Sequence, residues 1–544
     1  MLPKKFSFIS FNWLQVNWLR VLIILIIIMG IFWRVSNLGR RFYWYDEVFT
    51  SLRISGYTTV EFVEYVSNSR VISLEELQKF QRPNPEKTAL DTITSLAREE
   101  PQHPPFYFLI ARLWLQYFGF SVPTIRSLSA FISLLVFPSV YWLCCELFSS
   151  PFTGWIAVAA LAVSPFHLLY AGEARQYSLW MLLSVVSSLA LLRSIRLKSK
   201  TSWVFYTLTV ILGLYTFPFF MLSVIGYGVY VLGRERCQFS QTFKAYLLSS
   251  LFGILAFTPW IIALIKRLPE RTHDPNTSWM FEPLSLPSLV VRWIGGITRL
   301  FLDWGFRSED PPTPALILVL PILLLVGYSI YFICQRAPLK VWLFVITLIA
   351  VPTLALIGHD LILQGRISVI SRYYTPVFLG LQLAVAYLLS SQLTADSLKK
   401  WQQTFWQITL LFVLSAGVFS CVIISQSRIW FHQSQIIQRA YIPQTINKFV
   451  NISPRPLIIA DIGDDFAVGS LLSLSYEVDP HVKFFFVNSP KKIFKIPENF
   501  SNIFVFSPSQ ALQNILETNH HYKIYPIHAT PREEGVLWEL KKEE

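Results

Sequence analysis

Long apolar runs separated by short polar stretches dominate the first 425 positions of the chain. A bilayer core of about 30 Å takes roughly 20 apolar residues per helix. Eleven runs read as membrane spans on that basis, near 17–33, 124–147, 154–171, 177–193, 202–217, 218–233, 245–265, 313–334, 341–358, 373–391 and 404–425. No small-residue cleavage site follows Trp33, so the first run reads as an anchor and not as a signal peptide. After Ser425 the pattern changes. Short apolar runs at 456–460, 482–487 and 502–506 alternate with helix-like stretches near 466–476 and 509–518, the pattern of a small α/β domain. The expected fold is therefore an all-α polytopic membrane protein over 1–425, followed by an α/β domain over 426–544.

Composition agrees with this reading, because 53% hydrophobic and 15% charged residues exclude a soluble globular chain of this length. The net charge of +13 changes the picture only through its placement. With the N-terminus inside, the inner segments carry 14 basic residues against three acidic ones. The outer loops 34–123 and 266–312 and the tail 426–544 are each balanced in charge. Retained Lys and Arg mark the cytoplasmic side, so the excess is an orientation signal and a nucleic-acid partner loses its main support. The expected location is the plasma (inner) membrane, with the first loop and the tail outside the cytoplasm. On this topology the apolar stretch 103–119, interrupted by Arg112, is an amphipathic helix lying at the outer interface and not a twelfth span. Within the long first loop, the Ser-x-x-Glu pattern at Ser73 starts another helix over 73–80.

Five cysteines without a CxxC spacing indicate neither a disulfide framework nor a zinc site. The chain also lacks the phosphate loop GxxxxGK[ST], HExxH and the GxSxG elbow, so ATP-driven or metalloprotease chemistry has no support. What remains is a set of polar groups at the expected outer ends of spans. Asp46 and Glu47 sit between aromatic and apolar neighbours, either as solvated acids in an aromatic belt or as a general base beside a second group that orients an acceptor or holds a metal. His103 and Tyr107 flank Pro104 and Pro105, which start a helix and hold both residues near the boundary. Glu173, Arg175 and Tyr177 lie in a short turn between spans, as helix caps or as functional charges at the membrane edge. Arg366, Arg372 and Tyr373 precede a span, where an arginine serves either a lipid contact or a phosphate grip. Weaker candidates are the turn 215–219, and His273 with Asp274.

The succession Tyr45-Asp46-Glu47, His103-Pro104-Pro105-Phe106-Tyr107, Ser164-Pro165-Phe166-His167 with Glu173-Ala174-Arg175-Gln176-Tyr177, and Arg372-Tyr373 resembles the GT-C glycosyltransferases. More narrowly it resembles the branch related to protein O-mannosyltransferases and lipid A aminoarabinose transferases, over about residues 15–390. The resemblance implies an inverting transferase of the cell envelope that takes a sugar from a polyprenyl-phosphate donor and passes it to a lipid, glycan or protein acceptor. It implies that Asp46 is the catalytic aspartate with Glu47 beside it, and that His103 and Tyr107 line the cavity. The resemblance further implies that Glu173 and Arg175 close the cavity's far wall and that Arg372 contacts the donor phosphate. No cofactor is required, and a divalent metal, if used, would fall to Asp46 or Glu47. Two other classes stand beside this one. A transporter or flippase for a lipid-linked substrate would place charges and broken helices within its spans, and a non-catalytic scaffold would account for the tail domain.

Overall fold

The computed structural model describes residues 17–68, 70–271, 280, 282–305, 313–430, 446–487, 495–518, 522–528 and 537–542. Helices form where the chain is apolar because a bilayer leaves backbone N–H and C=O groups no partner outside the segment. The first span α1 (Asn17–Val35) leads into five loop helices, α2 (Tyr45–Ile54), α3 (Thr59–Val66), α4 (Leu74–Gln78), α5 (Ala89–Glu99) and α6 (Phe106–Phe118). The bundle continues with α7 (Val122–Phe148), α8 (Pro151–Ala162), α9 (Pro165–Ala171), α10 (Tyr177–Leu197), α11 (Lys200–Leu214), α12 (Phe220–Arg234) and α13 (Gln241–Arg271). It is completed by α14 (Leu286–Thr298), α15 (Thr313–Arg336), α16 (Leu339–Leu363), α17 (Thr375–Leu393) and α18 (Lys400–Gln426).

Each of the eleven expected spans is helical. Among the described residues, eight helices are long and apolar enough to cross a bilayer, or nine with α8 and α9 counted as one bent span. The helices α11 and α12 fall short at 15 residues each. The stretch 103–119 forms the 13-residue α6, which is not among the candidate spans. Its Arg112 turns into the loop layer, donating to Ile54 O at 2.7 Å and to Lys87 O.

Where one straight span was expected over 154–171, the chain bends by 64° between α8 and α9. Pro165 supplies no N–H and its ring crowds the carbonyl four residues back. The freed carbonyls are taken by Arg34, whose Nη1 reaches Ala162 O at 2.6 Å and whose Nη2 reaches Leu161 O at 3.0 Å. Two glycines let neighbouring helices touch this break. A Cβ on Gly30 of α1 would lie 2.6 Å from Ala162 O, and one on Gly417 of α18 would lie 2.6 Å from Val163 O. Close small-residue contacts of this kind are how membrane helices gain packing energy without a hydrophobic drive.

Three of the five loop helices, α3, α4 and α5, are begun by their own capping boxes, Thr58 with Glu61, Ser73 with Glu76 and Thr88 with Asp91. The box at Ser73 is the one expected from sequence. The α/β part holds strands β2 (Pro456–Asp461), β3 (Lys483–Val487), β4 (Asn502–Phe506), β5 (Tyr522–His528) and β6 (Leu537–Lys542), with helices α19 (Asp465–Leu474) and α20 (Gln510–Thr518). With β1 (Val71–Ser73) at one edge, strand order is β1-β3-β2-β4-β6-β5, parallel across β3-β2-β4 and antiparallel elsewhere. The edge strand β1 (Val71–Ser73) comes from the first loop and pairs Val71 with Phe485, so the sheet is built by both parts of the chain. Alternation along β2 gives the sheet two apolar faces. Ile458 and Ala460 join the cluster that runs through the loop helices into the bundle, while Leu457 and Ile459 pack against α20.

Replacing Gly30 or Gly417 by Val forces atoms into contacts already at van der Waals limits, a change that costs about 1–3 kcal/mol. Each variant should show a lower thermal unfolding midpoint in detergent than the parent protein. An unchanged midpoint would contradict the packing at the α8–α9 break.

Candidate active site

The site begins at the N-terminus of α2. Trp44 caps the helix in an extended conformation, and Asp46 and Glu47 fall in the first turn, where the helix dipole favours negative charge. Neighbouring positions on a helix point about 100° apart, so the two carboxylates part company at once. Glu47 enters the core, 0% exposed, and Asp46 stays at the edge of the packed layer, 15% exposed.

Glu47 is closed by Arg126 of α7. The Arg126 Nε and Nη2 atoms reach its two oxygens at 2.8 and 2.6 Å, and the Ala174 backbone N–H donates to the first oxygen at 2.8 Å. Arg126 spends its remaining N–H groups on Leu38 O, Arg41 O and Phe42 O, all within 2.9 Å. One buried guanidinium thus joins α7, the 38–42 loop and α2, and Glu47 adds the 173–175 turn. The far end of α2 is tied down as well, because Arg53 bridges Glu99 at 2.7 Å and Glu100 at 2.9 Å.

Asp46 faces two other arginines. Its Oδ2 lies 3.1 Å from Arg372 Nη1 and 3.8 Å from Arg175 Nη2. Arg175 Nη1 also donates to Asp46 O at 3.1 Å and to Thr50 Oγ1 at 2.9 Å, while the Thr50 hydroxyl donates back to Asp46 O at 2.9 Å. Burial works to lower the Arg175 pKa, but Asp46, Tyr177 and Glu100 together outweigh it and the pKa is raised. Arg175 Nη2 lies 2.9 Å from His103 Nε2. Arginine only donates, so Nε2 accepts and the proton of neutral His103 sits on Nδ1. That proton calls for an acceptor on Gln176, whose amide is 2.9 Å away. Turning the amide so that its oxygen faces the ring supplies one, and gives a partner to an Oε1 that otherwise has none.

Arg372 lies in an aromatic sleeve, with its guanidinium carbon 5.6 Å from the Tyr177 ring centre and 5.8 Å from that of Tyr373. Behind these rings stand Tyr170, Phe217 and Phe219. Among the described residues, the buried Nε atoms of Arg372 and Arg175 have no hydrogen-bond partner. Two unsatisfied cationic donors beside one carboxylate are a costly arrangement unless a ligand completes it.

The structure therefore brings Asp46, His103, Arg175, Tyr177, Arg372 and Tyr373 together. The turn 215–219 joins them through its phenylalanines. Tyr107 stands one layer back, its hydroxyl 2.8 Å from Ser129 Oγ, which in turn donates to Arg175 O at 3.2 Å. Burial and the nearby Glu47 charge raise its pKa. Glu173 is buried under the turn, where its charge acts on Arg41 and Arg126. Arg366 is not paired with Asp46 as Arg372 and Arg175 are. Its guanidinium is held by Glu282 at 2.5 Å and its backbone N–H by Met280 O, so it ties the segment before α14 to the turn before α17. His273 and Asp274 lie outside the described residues. Sequence reasoning missed Arg126, although an arginine in the second turn of an apolar 27-residue helix is itself a signal of a buried partner.

The residues present do not fit a divalent metal. Both Glu47 oxygens are occupied, Asp46 is flanked by two guanidinium groups, and no group of three or more His, Cys, Asp or Glu residues gathers among the described residues.

Residues 102–262 match the family model described as dolichyl-phosphate-mannose-protein mannosyltransferase. The matched segment contains His103, Tyr107, Arg126, Glu173, Arg175 and Tyr177. The crystal structure of ArnT from Cupriavidus metallidurans bound to undecaprenyl phosphate is similar with a TM-score of 0.52 at 13% identity, covering 97% of this chain and 98% of that one. An Archaeoglobus fulgidus oligosaccharyltransferase tethered with an acceptor peptide containing the NVT sequon gives a TM-score of 0.46 at 10% identity, covering 86% of this chain and 65% of that one. No curated protein sequence matches the chain. The chain thus shares the fold of the ArnT structure along nearly its whole length, and is similar to the mannosyltransferase family model over residues 102–262.

Changing Glu47 to Gln leaves Arg126 as an uncompensated buried charge, which costs about 3–5 kcal/mol. Chemical denaturation of the purified variant should report a loss of that size. Stability equal to the parent protein would contradict the role assigned to the pair.

Proposed function

We propose that the protein is an inverting glycosyltransferase that moves a sugar from a polyprenyl-phosphate carrier to an acceptor hydroxyl at the extracytoplasmic face of the membrane. The observation that carries the reading is the single Asp46 oxygen shared by Arg372 and Arg175 at 3.1 and 3.8 Å. With no donor bound, the two guanidinium groups occupy this Asp46 oxygen. A phosphate offers those groups more oxygens in a geometry suited to bidentate contact, and the Nε atoms of both arginines have donors to spare. Arrival of the carrier phosphate draws the arginines away from Asp46 and releases the base at the moment the donor is in place.

The acceptor oxygen then gives its proton to Asp46 and bonds to the anomeric carbon from the side opposite the phosphate. The bond from that carbon to the phosphate oxygen breaks, its electron pair stays with the phosphate, and the configuration inverts. Charge gathering on the departing group is met by Arg372 and Arg175. The tyrosines around Arg372 exclude water and hold the guanidinium plane, and His103 holds Arg175 in line. Glu47 stays in its ion pair and sets the direction of Asp46, so it positions the base and does not touch substrate. None of these steps draws on a cofactor.

Support for the carrier comes from the site's place among span ends, since a lipid-linked donor presents its phosphate at headgroup level, and from the undecaprenyl phosphate bound by the ArnT structure. The 14-to-3 excess of basic over acidic residues at the opposite loops supports an extracytoplasmic site. Lipid, glycan and protein acceptors all offer the hydroxyl required.

Asp46→Asn should insert and fold normally yet lose about 10²–10⁴-fold in transfer, as expected for removal of a general base. Incubation of purified protein with a panel of polyprenyl-phosphate sugars measures this, and unchanged transfer would remove Asp46 from the mechanism. Arg372→Ala should raise the donor KM more than the acceptor KM in steady-state kinetics; the reverse order would count against a phosphate grip. In intact cells, single cysteines in the tail should react with an impermeant maleimide and those at 193–200 should not. The opposite labelling would overturn the orientation.

A further inference from the structure

We propose that the C-terminal domain is a positioning clamp on the helix that carries Asp46, with Gly469 at its point of contact. This inference rests on the function proposed above for what the clamp controls. It rests on packing alone for the clamp itself.

Helix α19 lies across α2 at a distance only glycine permits. A Cβ at Gly469 would stand 2.5 Å from Tyr45 Cδ2 and 2.7 Å from Phe49 Cε2. Phe466, one turn earlier, places its ring 5.9 Å from that of Tyr45. Tyr45 is the neighbour of Asp46 in the first turn, and Phe49 lies four residues after it on the same face. Three further contacts keep the domain from drifting. The Tyr476 ring meets Tyr43 edge-on at 4.7 Å, Gln78 Nε2 donates to Ser475 O at 2.8 Å, and strand β1 is hydrogen-bonded into the sheet beside β3. The helix α2 is thus held from one side by the Arg126–Glu47 pair and from the other by the backbone of α19.

None of these α19 contacts involves Asp46 itself, so Gly469 is a positioning residue. Its effect should separate base from grip, because Asp46 rides on α2 whereas Arg372 belongs to the turn before α17. A methyl group at position 469 pushes the Tyr45 ring and tilts the first turn of α2, and a displacement of about 1 Å at a reacting group can cost 10²-fold in rate.

The test compares Gly469→Ala in the full-length protein with the parent and with the double variant Gly469→Ala, Tyr45→Leu, which removes the ring that the methyl group strikes. The clamp predicts a kcat about tenfold or more lower, within the range set by such a displacement, with donor KM unchanged and kcat recovered in part by Tyr45→Leu. It also predicts faster backbone amide exchange across 45–54, a readout that needs no substrate. An unchanged kcat, a loss confined to donor KM, or a loss that Tyr45→Leu does not relieve would overturn it. Should Gly469→Ala not accumulate as folded protein, Tyr476→Leu loosens the adjoining contact of the domain with Tyr43, just before α2. A parental kcat and parental exchange in that variant would equally refute the clamp. If the parent transfers no sugar from any carrier, the proposed function has failed, and the exchange measurement still decides whether α2 is clamped.

Discussion

A buried carboxylate and a buried guanidinium, Glu47 and Arg126, hold the site in place. Removing two charges from water is expensive, and the cost is met only when every donor and acceptor is used. Here all are used: Arg126 reaches both Glu47 oxygens and three backbone carbonyls, and the Ala174 N–H completes the carboxylate. The pair is therefore a fixed point, and it joins segments far apart in sequence. With Glu47 locked inward, the helix periodicity of α2 leaves Asp46 no direction but toward Arg175 and Arg372. The division of labour between two adjacent acids follows from that geometry, with one bound to the fold and one available to a ligand.

The same economy operates where the bundle bends. A proline interrupts the span, the interruption exposes carbonyls, and the buried Arg34 satisfies them. Gly30 and Gly417 then allow α1 and α18 to close on the break. The bend places α9 and the 172–176 turn beneath the loop layer, so that Arg175 and the Ala174 N–H meet α2. A straight helix over the same residues would carry that turn elsewhere. The tail sheet adds a second boundary. It borrows a strand from the first loop and rests α19 on α2, so the tail and the helical bundle share one apolar core.

Much of this was legible in the chain before any coordinates. Apolar run lengths located the eight long apolar helices among the described residues, and alternating short runs located the three parallel strands of the tail. The Ser73 capping box lay where the local pattern put it, because caps depend on residues three apart. The gathering of Asp46, His103, Arg175 and Arg372 was legible as polar groups at span ends. Features set by tertiary contact were not. Nothing local separates Asp46 from Glu47, since their fates differ only through Arg126, 79 residues away. Strand β1 has three residues and no pattern of its own, so its place in the tail sheet follows only from its partner β3. The pairing of Arg366 with Glu282, 84 residues earlier, likewise has no local signal. Pro165 was visible, but a proline within an apolar run predicts a kink without giving its size.

The central claim is that an anionic carrier head replaces Asp46 in the grip of Arg372 and Arg175. A structure of the Asp46→Asn protein determined with a polyprenyl-phosphate sugar tests it most directly. The account predicts the phosphate in contact with both guanidinium groups and the anomeric carbon facing residue 46. A phosphate bound elsewhere, or a sugar turned away from residue 46, would contradict it.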